Sequence, residues 1–145
     1  VHAVSMGGNM VVNFGPQPDG DFRAEEKELA KVIGKWTARN GECIYACGYA
    51  GWEKQDWGYY TAKGHHVYMV VFNRPYSGQL TAKTPKGTQI IKASLLNGEN
   101  IKVTETARNE YNVSMSKHEF NEPFVIKLEI KSSESITNKY REALT

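Results

Sequence analysis

Glu53 and Asp56 stand three residues apart between Trp52 and Trp57, the only acids of the chain embedded among aromatic side chains. Apolar surroundings raise a carboxyl pKa, and an indole ring stacks on the apolar face of a sugar, so this stretch has the residue types of a glycan-processing site. The competing reading is a loop or strand edge with both acids solvated or capping backbone amides, and it is the one preferred. Trp52 alone also reads as the border of a sugar pocket. Asn13, which closes an apolar run just before Gly15-Pro16, reads either as a pocket-floor residue or as a hydrogen-bonding partner of a neighbouring strand or loop. Neither acid is assigned a catalytic role.

Metal and cofactor chemistry find little to work with. His65 and His66 are adjacent in a strand-like run, so their side chains point to opposite faces, and His2 and His118 have no companions. Two thiols, Cys43 and Cys47, make no zinc site without a further His or Cys pair. Read as extended, the stretch between them spans ~13 Å, too far for a disulfide, whose α-carbons lie within about 7 Å. Reduced, partly buried thiols are expected. Gly7-Gly8 lacks the spacing of a phosphate loop and precedes its strand instead of following it. No metal and no cofactor is predicted.

The elements that carry these residues change character near Gly41. Met10-Val11-Val12-Asn13-Phe14 reads as a strand buried on both faces, bounded by Gly7-Gly8 and Gly15-Pro16. Asp19 and Asp21 are available as helix N-caps, and Leu29, Val32, Ile33 and Trp36 then form one stripe of an amphipathic helix over Ala24 to Arg39. Asn40-Gly41 supplies a left-handed stop. After it the period becomes two, with strands expected at Trp57 to Thr61, His65 to Asn73, Thr88 to Leu96, Asn100 to Thr106, Tyr111 to Ser116 and Phe124 to Lys131. Turn signals, Lys63-Gly64 and Ser77-Gly78 among them, separate them at the spacing of an antiparallel sandwich, and Asn97-Gly98 is the strongest hairpin signal. Residues 135–145 read as a short helix or a frayed tail.

A length of 145 residues allows one ordinary domain, which buries about 70% of the surface its unfolded form exposes. The longest apolar run, Val67 to Phe72, is far short of the ~20 residues of a membrane span. Net charge is only +2 and the lysines are dispersed, so a nucleic-acid partner is not inferred. The chain begins at Val1 with no initiator methionine and no signal-peptide pattern, which reads as a cut into something already under way. A lone strand-helix unit cannot complete a parallel sheet, so either an upstream part is missing or this piece packs in an unusual way.

The series Gly7-Gly8-Asn9-Met10-Val11-Val12-Asn13-Phe14-Gly15-Pro16, Asp19-Gly20, Ile33-Gly34-Lys35-Trp36 and Asn40-Gly41-Glu42-Cys43-Ile44-Tyr45 resembles, in order and spacing, the end of the catalytic barrel in α-L-fucosidases of glycoside hydrolase family 29. The likeness continues more weakly through Trp52 to Tyr59. It implies a mainly β chain: an antiparallel β-sandwich, residues 43–145, preceded by the last strand-helix unit of a (β/α) barrel, residues 1–42. It further implies a retaining exo-glycosidase that removes terminal fucose from glycans, with its two carboxylates about 5 Å apart. In the family both lie upstream of the matching segment, so this chain alone is expected to be inactive. The implied partners are a fucosylated glycan in the intact enzyme and the missing N-terminal barrel, and the family habit implies a periplasmic or secreted location. Within that reading Trp52 and Asn13 are the candidate substrate-binding residues. A second hypothesis is a free-standing carbohydrate-binding module with Tyr49, Trp52, Trp57, Tyr59, Tyr60 and Tyr76 as its stacking platform. A third is a non-catalytic unit that completes a barrel on another subunit. The severed-barrel reading predicts exposed or self-paired apolar faces on Met10 to Phe14 and on the helix.

Overall fold

The computed structural model describes residues 1–96, 98–115 and 121–132. Asn97 of the hairpin signal, Ser116, His118 and the 135–145 tail lie outside them.

A short helix, α1 (His2–Ser5), opens the chain, and the amphipathic pattern forms α2 (Ala24–Asn40) as expected. Glu25 and Glu26 in its first turn and Arg39 in its last suit the helix dipole. Both ends differ from the expectation. The N-cap is Arg23, with no side-chain cap bond. Asp19 is used inside the preceding loop, and Asp21 pairs with Lys27 at 2.6 Å. Gly41 is right-handed (φ −59°, ψ −22°), so α2 tightens straight into a 3-10 turn, Gly41–Cys43, with no left-handed stop. The stretch from Cys43 to Cys47 is therefore coiled, not extended: Ile44 N and Tyr45 N both donate to Gly41 O. Both cysteines are nonetheless free, and burial pushes the Cys43 thiol up to about 12.

Met10 to Phe14 forms no strand, contrary to its pattern. A doubly buried strand needs a parallel neighbour on each side, and among the described residues none is parallel to it. Met10, Val11, Val12 and Asn13 are left exposed, Val11 at 93%, while Phe14 is half-buried.

Beyond Gly41 the chain folds as β1 (Gly58–Lys63), β2 (His66–Val71), β3 (Gln79–Lys83), β4 (Gln89–Leu95), β5 (Asn100–Ile101), β6 (Val103–Ala107), β7 (Glu110–Ser114) and β8 (Phe124–Lys131). They make two sheets, β1-β2-β8-β4-β5 and β3-β7-β6, with antiparallel pairing throughout. The expected run Asn100 to Thr106 is divided, since β5 belongs to the first sheet and β6 to the second. β3 was not expected: its only buried residues are Leu80 and Ala82, too weak an alternation to read. In β4, Ile90 and Lys92 pair with the consecutive β8 residues Ile130 and Glu129, so the register shifts by one and Ile91 bulges outward.

The core lies between the sheets. Tyr60, Val67, Met69, Ile126 and Leu128 of one meet Leu80, Tyr111 and Val113 of the other. Gly64, at φ +60°, makes the tight β1–β2 turn. Gly58 is required by contact: a Cβ there would collide with the Val70 carbonyl of β2.

Leu128 is fully buried on the central strand. Leu128→Ala is expected to cost about 2–5 kcal/mol in denaturant unfolding. Val11→Ala, on an exposed side chain, is expected to change stability by less than about 0.5 kcal/mol.

Candidate functional site

β2 is buried on both faces. Val67, Met69 and Val71 point into the sandwich core, while Tyr68 and Val70 point outward and join Val125 and Cys43 in a second, smaller core. That outer core is covered by Trp36 of α2, by Ile44 and Cys47 after the turn, and by Val1. The sandwich therefore holds the N-terminal unit against its outer sheet face.

Polar contacts fix the seam. Trp36 Nε1 donates to Pro123 O at 2.7 Å, and Arg39 pairs with Glu122 at 2.8 Å. Glu42 Oε1 accepts from Lys127 Nζ at 2.6 Å and from Tyr68 Oη at 2.9 Å. Thr61 Oγ1 donates to Cys43 O at 2.7 Å. The Lys127 ammonium, helped by the Tyr68 hydroxyl, holds the Glu42 carboxyl below its usual range against the opposing effect of burial. Burial first, then the Glu42 carboxylate, raises the Tyr68 phenol.

The other side of the unit is bare. Leu29, Val32 and Ile33 of α2 are exposed, as are Met10, Val11 and Val12. Met10, Val12, Val32, Ile33, Trp36 and Phe72 line a groove of about 730 Å³. Asn9 lines it too, whereas Val11, Asn13 and Phe14 do not. This is the exposed apolar surface that a severed barrel predicts.

The sequence-predicted site residues fall in different surroundings. Asn13 is exposed beside the groove. Trp52 is only 5% exposed, with its ring 5.1 Å from Tyr60, which meets Trp57 edge-on at 4.9 Å. Trp57 Nε1 is itself committed to Thr81 O. With Trp52, Trp57 and Tyr60 in the core, the six-aromatic stacking platform does not exist as a surface. Glu53 pairs loosely with Lys83 at 3.7 Å, and the Asp56 carbonyl accepts from Asn73 Nδ2. Glu42, Tyr68 and Lys127 were missed. Contacts between residues 85 apart leave no local signal.

The comparisons with known proteins agree with this geometry. The α-L-fucosidase family profile matches residues 1–42. An α-L-fucosidase of glycoside hydrolase family 29 from Bacteroides thetaiotaomicron, solved as a trapped covalent intermediate, is 64% identical with a TM-score of 0.88 over 90% of this chain and 30% of that one. The chain matches the C-terminal part of the family 29 α-L-fucosidases. Tissue α-L-fucosidase of Homo sapiens is 37% identical over 99 residues, which are 66% of this chain and 21% of that protein. An α-fucosidase of Thermotoga maritima solved with fucose shares the fold at 20% identity, with a TM-score of 0.71 over 87% of this chain and 32% of that one. The chain thus spans about a fifth of the curated relatives it matches and about 30% of the solved ones. No helix among the described residues is long and apolar enough to cross a membrane.

The depressed Glu42 pKa gives a signed expectation. A carboxyl whose folded pKa is lowered stabilises the fold above its unfolded value, here 4.5, and loses that stabilisation as pH falls through the folded value. The stability difference between wild type and Glu42→Gln should be constant from pH 7 to about 5 and shrink below that; it should stay under about 1 kcal/mol because the pair is half-exposed. Denaturant midpoints measured between pH 7 and 3 check it.

Proposed function

We propose that this chain serves as the C-terminal part of a retaining exo-α-L-fucosidase, with residues 1–42 closing the catalytic barrel and residues 43–145 forming the sandwich attached to it. The observation that carries the reading is the bare apolar groove: a strand-like segment and a helix stripe, each of barrel type, with their barrel-side faces uncovered. The partner that fits is the N-terminal barrel, and the substrate is a glycan ending in α-linked fucose. The nucleophile and the acid/base are supplied by that barrel, so the chain alone performs no hydrolysis. The intact enzyme acts in the periplasm or outside the cell, where fucosylated glycans are met.

Asn13 is the residue proposed to reach the sugar. Met10 and Val12 turn toward α2, so in a barrel strand of the same parity Val11 and Asn13 turn toward the lumen. Asn13 is the last of these before Gly15-Pro16, at the strand end where barrels carry their active sites.

The test is a hybrid enzyme, with this chain joined in frame behind the barrel part of the Bacteroides thetaiotaomicron α-L-fucosidase in place of the matching segment. The hybrid should hydrolyse an aryl α-L-fucoside with retention of configuration, and the 145-residue chain alone should not. Asn13→Ala in the hybrid should lower kcat/KM at least about tenfold, the size of one lost buried hydrogen bond. Turnover by the isolated chain, abolished by a single carboxylate substitution, would overturn the proposal.

A further inference from the structure

We infer that the end of the sandwich away from the groove is a basic surface that binds an anionic polysaccharide, one carrying sulfate or uronate groups along its length. The choice of a glycan among polyanions rests on the fucosidase reading above, whereas the basic end itself does not.

The lysines are dispersed in the sequence, and the sheet topology gathers them. Lys63 ends β1 opposite His66, Lys131 ends β8 opposite Gln89, and Lys83 ends β3 opposite Glu110. Thr84 Oγ1 donates to Thr88 O across the β3–β4 turn that carries Lys86, so the chain passes directly from one sheet to the other and their ends lie side by side. Thr84 N donates to Asn109 O, which brings in the β6–β7 turn with Arg108. Lys63, Lys83, Lys86, Arg108 and Lys131, all exposed, therefore share one end of the sandwich.

Neighbouring carboxylates offset only part of this charge. Glu53 pairs with Lys83 at 3.7 Å and Glu110 stands opposite it in register, while Glu129 stands opposite Lys92. Glu105 of β6 is the remaining acid nearby. Lys63, Lys86, Arg108 and Lys131 take part in no ion pair among the described residues. At the other end the described charges balance, with Lys54, Arg74 and Lys102 against Asp56, Glu99 and Glu122. Eight residues of β8 at about 3.3 Å each hold the two ends roughly 25 Å apart, about three Debye lengths at physiological salt. The basic end therefore acts on its own surroundings.

The form of the patch selects its partner. Its cations stand on separate turns and strand ends and do not converge on one point, which suits a chain of repeated charges and not a single small anion. Among the described residues no large apolar side chain is exposed on these turns, so nothing enters a lipid surface or stacks on a base. The seam contacts at Pro123 and Glu122 and the groove-lining Phe72 all lie at the opposite end, so a docked barrel leaves the basic end open.

Binding of the 145-residue chain to immobilised chondroitin sulfate is measured at about 50 and about 200 mM salt, with neutral dextran, phosphatidylserine-rich vesicles and a DNA duplex as comparison probes. The chain should bind chondroitin sulfate and not dextran, and lose at least about tenfold in affinity between the two salt concentrations. Lys63→Gln, Lys86→Gln and Arg108→Gln together should weaken binding at least about tenfold at the lower salt and reduce the logarithmic salt slope by about two. The same charge removed elsewhere, by Lys35→Gln, Lys92→Gln and Lys102→Gln, should change the affinity less than about threefold. All six side chains are exposed, so both triple variants keep the fold. Equal losses in the two triple variants, no binding at the lower salt, or tighter binding to the vesicles or the duplex would sink the inference while leaving the fucosidase reading intact. A hybrid enzyme with no activity overturns that reading and, with it, the choice of a glycan.

Discussion

The five-stranded sheet has two apolar faces, and the arrangement of the whole chain follows from covering both. β2 makes the constraint visible: from Val67 to Val71 each residue is buried, yet successive side chains point to opposite sides. The three-stranded sheet covers one side. The other is covered by Trp36, Ile44 and Cys47, so the N-terminal unit also contributes to the sandwich's stability. A helix has one circumference to share, however, and the part of α2 turned away from the sheet keeps Leu29, Val32 and Ile33 in solvent. Covering the outer sheet face thus passes the unmet demand for burial on to the groove.

Direction at that seam comes from polar groups, since apolar packing alone would tolerate sliding. Trp36 Nε1 can satisfy its single donor only at one place on the strand entrance, the Pro123 carbonyl. Glu42 collects two donors at one oxygen, from neighbouring strands β2 and β8, which pins the turn after α2 across their junction. Half-exposed ion pairs of this kind contribute little energy, and their value is geometric.

The aromatic cluster shows how the same residue types serve opposite ends. Trp52, Tyr60 and Trp57 stand at tilted and edge-on angles, the geometry of packed aromatic pairs, whereas a sugar platform needs an accessible ring face. With Trp52 at 5% exposure and Trp57 at 4%, what they fill is the end of the sandwich core. Beside that core, α1 rests on β1.

What the sequence by itself determined is what short-range physics governs. The 3.6-residue stripe made α2, strict alternation made β8 with the bounds read from it, and the Lys63-Gly64 signal lies at an observed tight turn. The pattern of Met10 to Phe14 reads as a strand, yet the segment is unpaired and forms none here. Only the tertiary structure decided the rest: that Asn100 to Thr106 is shared between two sheets, that Leu80 and Ala82 mark a strand, that Trp52 is core, and that Gly41 continues a right-handed turn. Each of these depends on which distant segment lies alongside. Lys127 reaches Glu42 across 85 residues, and Trp36 reaches Pro123 across 87, separations at which hydropathy, turn chemistry and period carry no information about pairing.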